Sequence, residues 1–384
     1  MSITVEKFLD VVSEYRVDLV AGRIGVGRSI DWFHFIERTD ETERINANEL
    51  VFVQAAHLED GAASRALLRR IVEKDASGIV VVVDPRKQTL PPALAAFCDE
   101  AHFPLIEMAA DADISSISKL LCIQLLESEK ASRQRFSAMK NAISFPQKTG
   151  LYMPTFMQYG FKVQEHYTAA FIKVEDMAEL PTSEIQWIVK LMEQQLLATG
   201  DKSFVLTMDD GFVFVFSNYS SAAIQNVLLK IIVLLRMKDY TFYAGMSLNV
   251  QGLEKLSQAY MQAKHVTELS EKKEWKNMLR NYDELGVYQL LLAIDNQGVK
   301  EEFYDNTLGK LVRSDEEKKT DYLEFLKVYF ESNCSINETA DRLFIHRNTA
   351  VYKIKKINEL LDCDLSDIEV RVKLYLASML RYVL

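Results

Sequence analysis

The chain has 384 residues, 48% hydrophobic and 26% charged, with a formal net charge of -10. That length is too great for one compact core and suits about three domains. No apolar run reaches membrane length, because Asp84 ends Ile79–Val83 and Lys230 interrupts Val227–Leu235; Glu6 and Asp10 come too early for a secretory signal. The expected setting is cytoplasmic, without a membrane partner. Cys98, Cys122, Cys334 and Cys363 form no Cys-x-x-Cys pair and fall within apolar patterns, so free, buried thiols are expected.

Gly22, Gly25 and Gly27 lie close together, but no Gly-Lys-Ser/Thr follows and the spacing is not Gly-x-Gly-x-x-Gly. Tight turns between short strands are predicted instead of a phosphate loop. Leu50–Val53 and Ile79–Val83 are apolar runs of strand length, and Ser64–Glu73 and Pro92–Ala101 have helical spacing, which together predict an α/β sheet. In such sheets ligands sit beyond the carboxyl ends of strands, which makes Gln54, His57 and Asp84 candidate ligand-binding residues; His57 and Asp84 read equally well as a loop residue and a helix cap.

From Ile114 to about Ile143 a long helix is predicted, with an apolar stripe from Ile114 to Leu126 and a charged stretch from Glu127 to Arg135. It could pack against its copy in a dimer or serve as a packing helix and solvated linker. Phe145-Pro146-Gln147-Lys148-Thr149-Gly150 supplies breakers and a boundary. Strand-like Ala169–Val174, a helix at Ile185–Ala198, the strands Phe204–Met208 and Phe212–Phe216 joined by Asp209-Asp210-Gly211, a helix at Ile224–Leu235, the strand Phe242–Ser247 and a helix at Leu256–Leu269 then give an α+β domain.

Near the end, Ile336, Ala340, Leu343 and Phe344 fall on one face of a short helix, and Val351, Ile354, Ile357 and Leu361 keep the rhythm of a second, a helix-turn-helix spacing. Between Arg342 and Ile357 every charged residue is basic: Arg342, Arg347, Lys353, Lys355 and Lys356. A solvated basic face would give the same pattern; a DNA-reading helix would place His346, Arg347, Asn348 and Thr349 at its start, the end that reaches base edges. Arg347 suits guanine and Asn348 adenine, while Thr349, Lys353 and Lys356 suit phosphate.

This segment resembles the C-terminal helix-turn-helix of the PucR family of bacterial transcription regulators, most recognisably in His346-Arg347-Asn348-Thr349 followed by Tyr352-Lys353-Ile354, and, ahead of it, in Tyr304–Leu311. Ala350 stands where a larger aliphatic residue is usual and Lys353 where an arginine is usual. Ala21–Arg28, Ile30–His34, Asn48–Val53, Leu90-Pro91 and Phe103–Glu107 resemble the N-terminal domain of the same family, with Asn48 where glycine is common. The central order of elements resembles the degenerate GGDEF-like domain of such regulators. Its hairpin, Met208-Asp209-Asp210-Gly211-Phe212, lacks the glycines that a true cyclase needs before its acids.

The resemblance implies a multi-domain protein: an N-terminal α/β sensor domain (1–125), a helical linker (126–150), a central α+β GGDEF-like domain (151–300) and an all-α helix-turn-helix domain (301–384). It implies a ligand-responsive regulator, an activator of genes for the breakdown of purines or related nitrogen compounds, that binds a double-stranded DNA operator as a homodimer or larger symmetric assembly. The DNA-binding set is His346, Arg347, Asn348, Thr349, Tyr352, Lys353 and Lys356, the effector a small purine-related metabolite, and no cofactor, metal or catalytic residue is expected. His-Glu-x-x-His and Gly-x-Ser-x-Gly are missing and the six histidines are scattered. The alternative is a nucleotide-processing enzyme using the N-terminal or GGDEF-like domain.

Overall fold

Alternation of apolar side chains builds the first sheet. The computed structural model describes residues 3–37, 39–58, 61–84, 90–197, 202–208 and 210–384, so Ala198 and Asp209 of the expectations above fall outside the described residues. The chain divides into two compact units, residues 1–137 and 138–384.

The first unit contains β1 (Ile3–Thr4), α1 (Val5–Val11), β2 (Val17–Ala21), β3 (Ser29–Ile30), β4 (Trp32–Ile36), β5 (Glu49–Gln54), α2 (Gly61–Glu73), β6 (Gly78–Val83), α3 (Pro92–Glu100), β7 (Leu105–Ala109) and the start of α4 (Ile114–Ser144). Its main sheet has the order β2-β7-β6-β5-β4, parallel except for the antiparallel edge β2. Val51, Val53, Val81 and Val83 face Leu67, Leu68, Leu94 and Cys98 of α2 and α3. Leu50, Phe52, Val80 and Val82 face Val5 and Phe8 of α1 and Ile117 and Leu121 of α4. Strands buried on both faces read as unbroken apolar runs, which is why β5 and β6 stand out in the sequence.

The glycine cluster lies between the short strands β2 and β3, where its tight turns run together as a 3-10 helix, Arg23–Gly27, that begins after Gly22. Gly22 has φ +74°, and a Cβ there would lie 2.0 Å from the Phe103 carbonyl oxygen, so only glycine fits. Asn48 has φ +60°, a left-handed conformation that asparagine tolerates, so the turn before β5 keeps the geometry glycine would give it. Free thiols were expected to be buried, but only Cys98 is fully so; Cys122, Cys334 and Cys363 are half-buried. Burial, with Asp99 adding its charge, pushes the Cys98 thiol up to about 12.

The second unit takes in the end of α4 and continues with α5 (Met153–Gln158), β8 (His166–Val174), α6 (Thr182–Leu197), β9 (Ser203–Met208), β10 (Gly211–Ser217), α7 (Ser221–Met237), β11 (Phe242–Met246), β12 (Val250–Gln251), α8 (Leu256–Lys272), β13 (Leu279–Asn281) and α9 (Tyr288–Leu292). The strand order is β13-β11-β8-β10-β9, with β12 beside β8. Phe212, Phe214 and Phe216 face α6 and α7. Phe171, Val213 and Val215 face α5, α8 and the Ala138–Ile143 end of α4. Between those ends, residues 122–137 of α4 bury no side chain.

Five further helices complete this unit: α10 (Gln297–Lys318), α11 (Tyr322–Glu331), α12 (Ile336–Arg342), α13 (Arg347–Leu361) and α14 (Ile368–Leu380). They share a core of Leu308, Leu311, Phe325, Leu326, Ala340, Ala350, Ile357 and Leu374. Val266 and Leu269 of α8 pack with Tyr288 and Leu291 of α9 and with Met379 and Leu380 of α14, joining this helical head to the central sheet.

Glu165 gives the central sheet a pH dependence. Its carboxylate accepts from Lys202 Nζ at 2.5 Å, Ser217 Oγ at 2.8 Å and the Lys162 N–H at 3.2 Å. Burial alone would raise its pKa, but these hydrogen bonds and the Lys202 charge hold it below the usual glutamate value. A depressed carboxylate adds stability that is complete above its unfolded value, about 4.3, and is lost as pH falls through the folded one. Glu165→Gln is therefore expected to lower the melting temperature at pH 7 and to narrow its difference from wild type toward pH 4. A difference unchanged between those pH values, measured by calorimetry, would refute this.

Candidate nucleic-acid interface

A capped start, a tight turn and a small residue at the crossing build the pair α12 and α13. Ser335 caps α12, its hydroxyl accepting from the Glu338 N–H at 3.4 Å. The turn closes when the Ile345 N–H donates to the Ala340 carbonyl at 2.9 Å. His346, expected at the start of the second helix, is the residue that caps it, and its Nδ1 accepts from the Asn348 N–H at 3.2 Å. It is an N-cap, which ties the side chain to the backbone it caps.

Two apolar expectations are corrected here. Phe344 was counted with the apolar face of the first helix as well as at the start of the break that forms the turn; it occupies the turn, with φ +52°, and is 96% exposed. Val351 was placed on the apolar stripe of the second helix with Ile357; Ile357 is buried as expected, but Val351 is exposed and its neighbour Ala350 is buried in its place. Ala340 and Ala350 are both nearly inaccessible, so the crossing of α12 and α13 requires small residues on both sides.

Three of the five cations in this stretch are engaged by carboxylates of the same head. Arg342 pairs with Glu331 at 2.7 Å, Lys356 with Glu359 at 2.6 Å, and Lys353, little exposed, with Asp321. The hydrogen bond to Glu359 holds Lys356 above the usual lysine value. Arg347 and Lys355 have no such partner among the described residues; Arg347 Nε donates only to the neutral Asn337 Oδ1, at 2.9 Å. Arg347, Val351 and Lys355 follow one another at four-residue steps, so they share a stripe on the exposed face of α13. Asn348, Thr349 and Tyr352 are exposed as well.

Lys355 was absent from the expected set, although stepping by four from Arg347 would have found it. Exposed, unpaired cations on one helix face can meet a phosphate backbone without first breaking a protein ion pair. Lys355→Gln is expected to reduce the slope of log affinity against log salt by about one, whereas Lys353→Gln should leave the slope unchanged and lower the melting temperature of the head. Equal slopes for Lys355→Gln and wild type would contradict this assignment.

Elsewhere the expected residues meet only in part. Gln54 ends β5, and Asp84 follows its parallel neighbour β6. His57 lies in a 3-10 turn, Ala55–Leu58, after β5. On the central hairpin, Asp210 pairs with Lys173 of β8 at 2.9 Å, and the same ammonium lies 2.8 Å from Glu271. Burial would depress Lys173, but the hydrogen bonds it donates to these carboxylates hold it above the usual lysine value. A cation carried by the chain thus stands between the two acids. No group of three or more His, Cys, Asp or Glu suited to a metal occurs among the described residues.

Three family models match this chain. Residues 322–380 match the PucR C-terminal helix-turn-helix domain, residues 9–125 the purine catabolism regulatory protein-like family, and residues 157–269 the GGDEF-like domain. The chain is 32% identical over 186 residues to the proline-responsive transcriptional activator PutR of Bacillus subtilis, covering 46% of this chain and 45% of that protein. It is 40% identical over 96 residues to the purine catabolism regulatory protein of the same organism, covering 25% and 18%. It is 28% identical over 130 residues to that organism's DNA-binding transcriptional activator AdeR, covering 33% and 31%. The matched part spans less than half the length of each of these relatives.

Proposed function

Because this chain belongs to the PucR family of regulators, carrying the family's N-terminal, GGDEF-like and helix-turn-helix domains in order, we propose that it is a ligand-responsive, DNA-binding transcription activator. The observation that carries this reading is the exposed face of α13, where Arg347 and Lys355 stand without carboxylate partners beside Asn348 and Tyr352. Bases are read from the start of α13 and phosphates are met along its length. A single helix-turn-helix gives a small interface, so the protein acts as a symmetric dimer or larger assembly on half-sites about 34 Å apart or a multiple of it. Its genes serve the use of purines or related nitrogen compounds, and its effector is a small nitrogenous metabolite bound in the N-terminal α/β domain, beyond the ends of β5 and β6. The setting is the cytoplasm; no helix among the described residues is long and apolar enough to cross a membrane.

The protein is not an enzyme in this reading. The nucleotide-processing alternative predicts metal-dependent turnover by the N-terminal or GGDEF-like domain; at the central hairpin Lys173 already pairs with Asp210 and Glu271. Titrating labelled duplex from upstream of the gene that encodes this chain, at two salt concentrations, tests the proposal by fluorescence anisotropy. Tight binding that weakens steeply with salt is expected. Weak binding indifferent to sequence, together with magnesium-dependent nucleotide turnover, would overturn it.

A further inference from the structure

The junction between the central domain and the helical head holds a cleft that the DNA-binding reading does not use. An inner chamber of about 130 Å³ is lined by Tyr288, Tyr304, Leu308, Leu326, Tyr375 and Met379. It adjoins a wider mouth of about 590 Å³, where Lys273 and Trp275, just beyond α8, face Lys327 of α11 and Arg381 and Tyr382, just beyond α14. Most of the chamber's walls are aromatic and aliphatic, and Lys273, Lys327, Glu331 and Arg381 line both it and the mouth.

The charges at the mouth do not cancel. Of its acids, Glu324 bonds Lys327 at 3.3 Å, and Glu331 pairs with Arg342 at 2.7 Å while its charge also acts on Lys273 and Lys327; Glu274 is the third. Lys273 and Arg381 have no carboxylate within ion-pair distance among the described residues, and Lys272 adds a further cation at the rim. Lys273 Nζ is held over three rings, 5.2 Å from the centroid of Trp275 and 4.7 Å from those of Tyr288 and Tyr382. Burial among those rings depresses it below the usual lysine value. A half-buried ammonium fixed at the entrance to an apolar chamber, with a free guanidinium across the mouth, is suited to an anionic head with an apolar body.

We propose that this junction cleft binds a small organic carboxylate, its apolar or aromatic body in the Tyr288–Met379 chamber and its carboxylate between Lys273 and Arg381. The walls come from α9, α10, α11 and α14 and from the end of α8 with the residues just beyond it, so the bound molecule bridges the central domain and the head that carries α13. Binding there favours one placement of the head over others in proportion to its differential affinity. Occupancy of the cleft does not depend on the DNA-binding reading; its effect on operator affinity does, and the two are measured apart.

The test uses the full chain with benzoate and 3-methylbutanoate as probes, and benzamide as the uncharged analogue of benzoate, followed by saturation-transfer NMR at fixed ionic strength. Saturable binding of both carboxylates is expected, with benzamide at least tenfold weaker. Lys273→Met, which keeps the apolar stem, and Arg381→Gln, a change at an exposed position, are each expected to weaken benzoate at least fivefold. Equal binding of benzamide and benzoate, undiminished binding in both variants, or no saturable signal from wild type would overturn the proposal. Melting curves establish that Lys273→Met is folded, and Arg381→Gln decides the matter if it is not. Binding with no change in operator affinity would confirm the site and exclude its regulatory effect.

Discussion

Replacing Arg347 and Asn348 together with alanine is expected to weaken operator binding by roughly 100-fold or more, since each well-placed base contact contributes about 1–3 kcal/mol. The melting temperature should barely move, because both side chains are exposed and their only described tertiary tie is the Arg347 to Asn337 hydrogen bond. The residual binding should be less selective, since base contacts specify whereas phosphate contacts position. Anisotropy with the operator and with a scrambled duplex checks both statements. If the variant bound both duplexes as wild type does, α13 would be a basic surface and not the reader.

Gly245→Val is expected to cause the largest structural loss. Gly245 lies in β11 between Phe171 of β8 and Arg280 of β13. A Cβ there would stand 2.2 Å from the Ala263 carbonyl oxygen of α8 and 2.7 Å from Val266 Cβ, so valine would force the helix off its sheet. Overpacking of this kind costs about 1–3 kcal/mol or more, and α8 also carries Val266 and Leu269, which join the head to the central domain. The second unit should therefore unfold at lower urea and transmit its loss to the head. Gly150→Ala is the control, since nothing lies within 4 Å of the added atom. Equal urea midpoints for the two variants would show that α8 can yield.

Much of this architecture was legible in the sequence because its signals are periodic. β5 and β6 are doubly buried and show as apolar runs, while α7 and α8 carry long helical stripes. The pairs β1 with β3 and the strands β12 and β13 were not legible, since two or three residues carry no period. Phe344 was misassigned because a helical repeat was extended into a turn where φ becomes positive, whereas Val351 lies inside α13 on its exposed face; spacing shows hydrophobicity but not where the backbone leaves the helix. The count of five cations between Arg342 and Ile357 was correct, but all three of their carboxylate partners lie outside that window, and Asp321 and Glu331 are 32 and 11 residues away in sequence. A charge tally along the chain cannot foresee tertiary neutralisation, which is why Lys355 stood apart from Lys353 and Lys356 only once their partners were known.

Lys173 has a consequence for how the central domain meets its chemical surroundings. An ion recruited from solution can be chelated, diluted or exchanged for another, and a structure that relies on it inherits those variations. The ammonium between Asp210 and Glu271 is covalently tethered, so its local concentration is fixed by the polypeptide. The hairpin's geometry is thereby insulated from shifts in divalent-ion supply, and changes in shape are left to whatever binds elsewhere on the molecule.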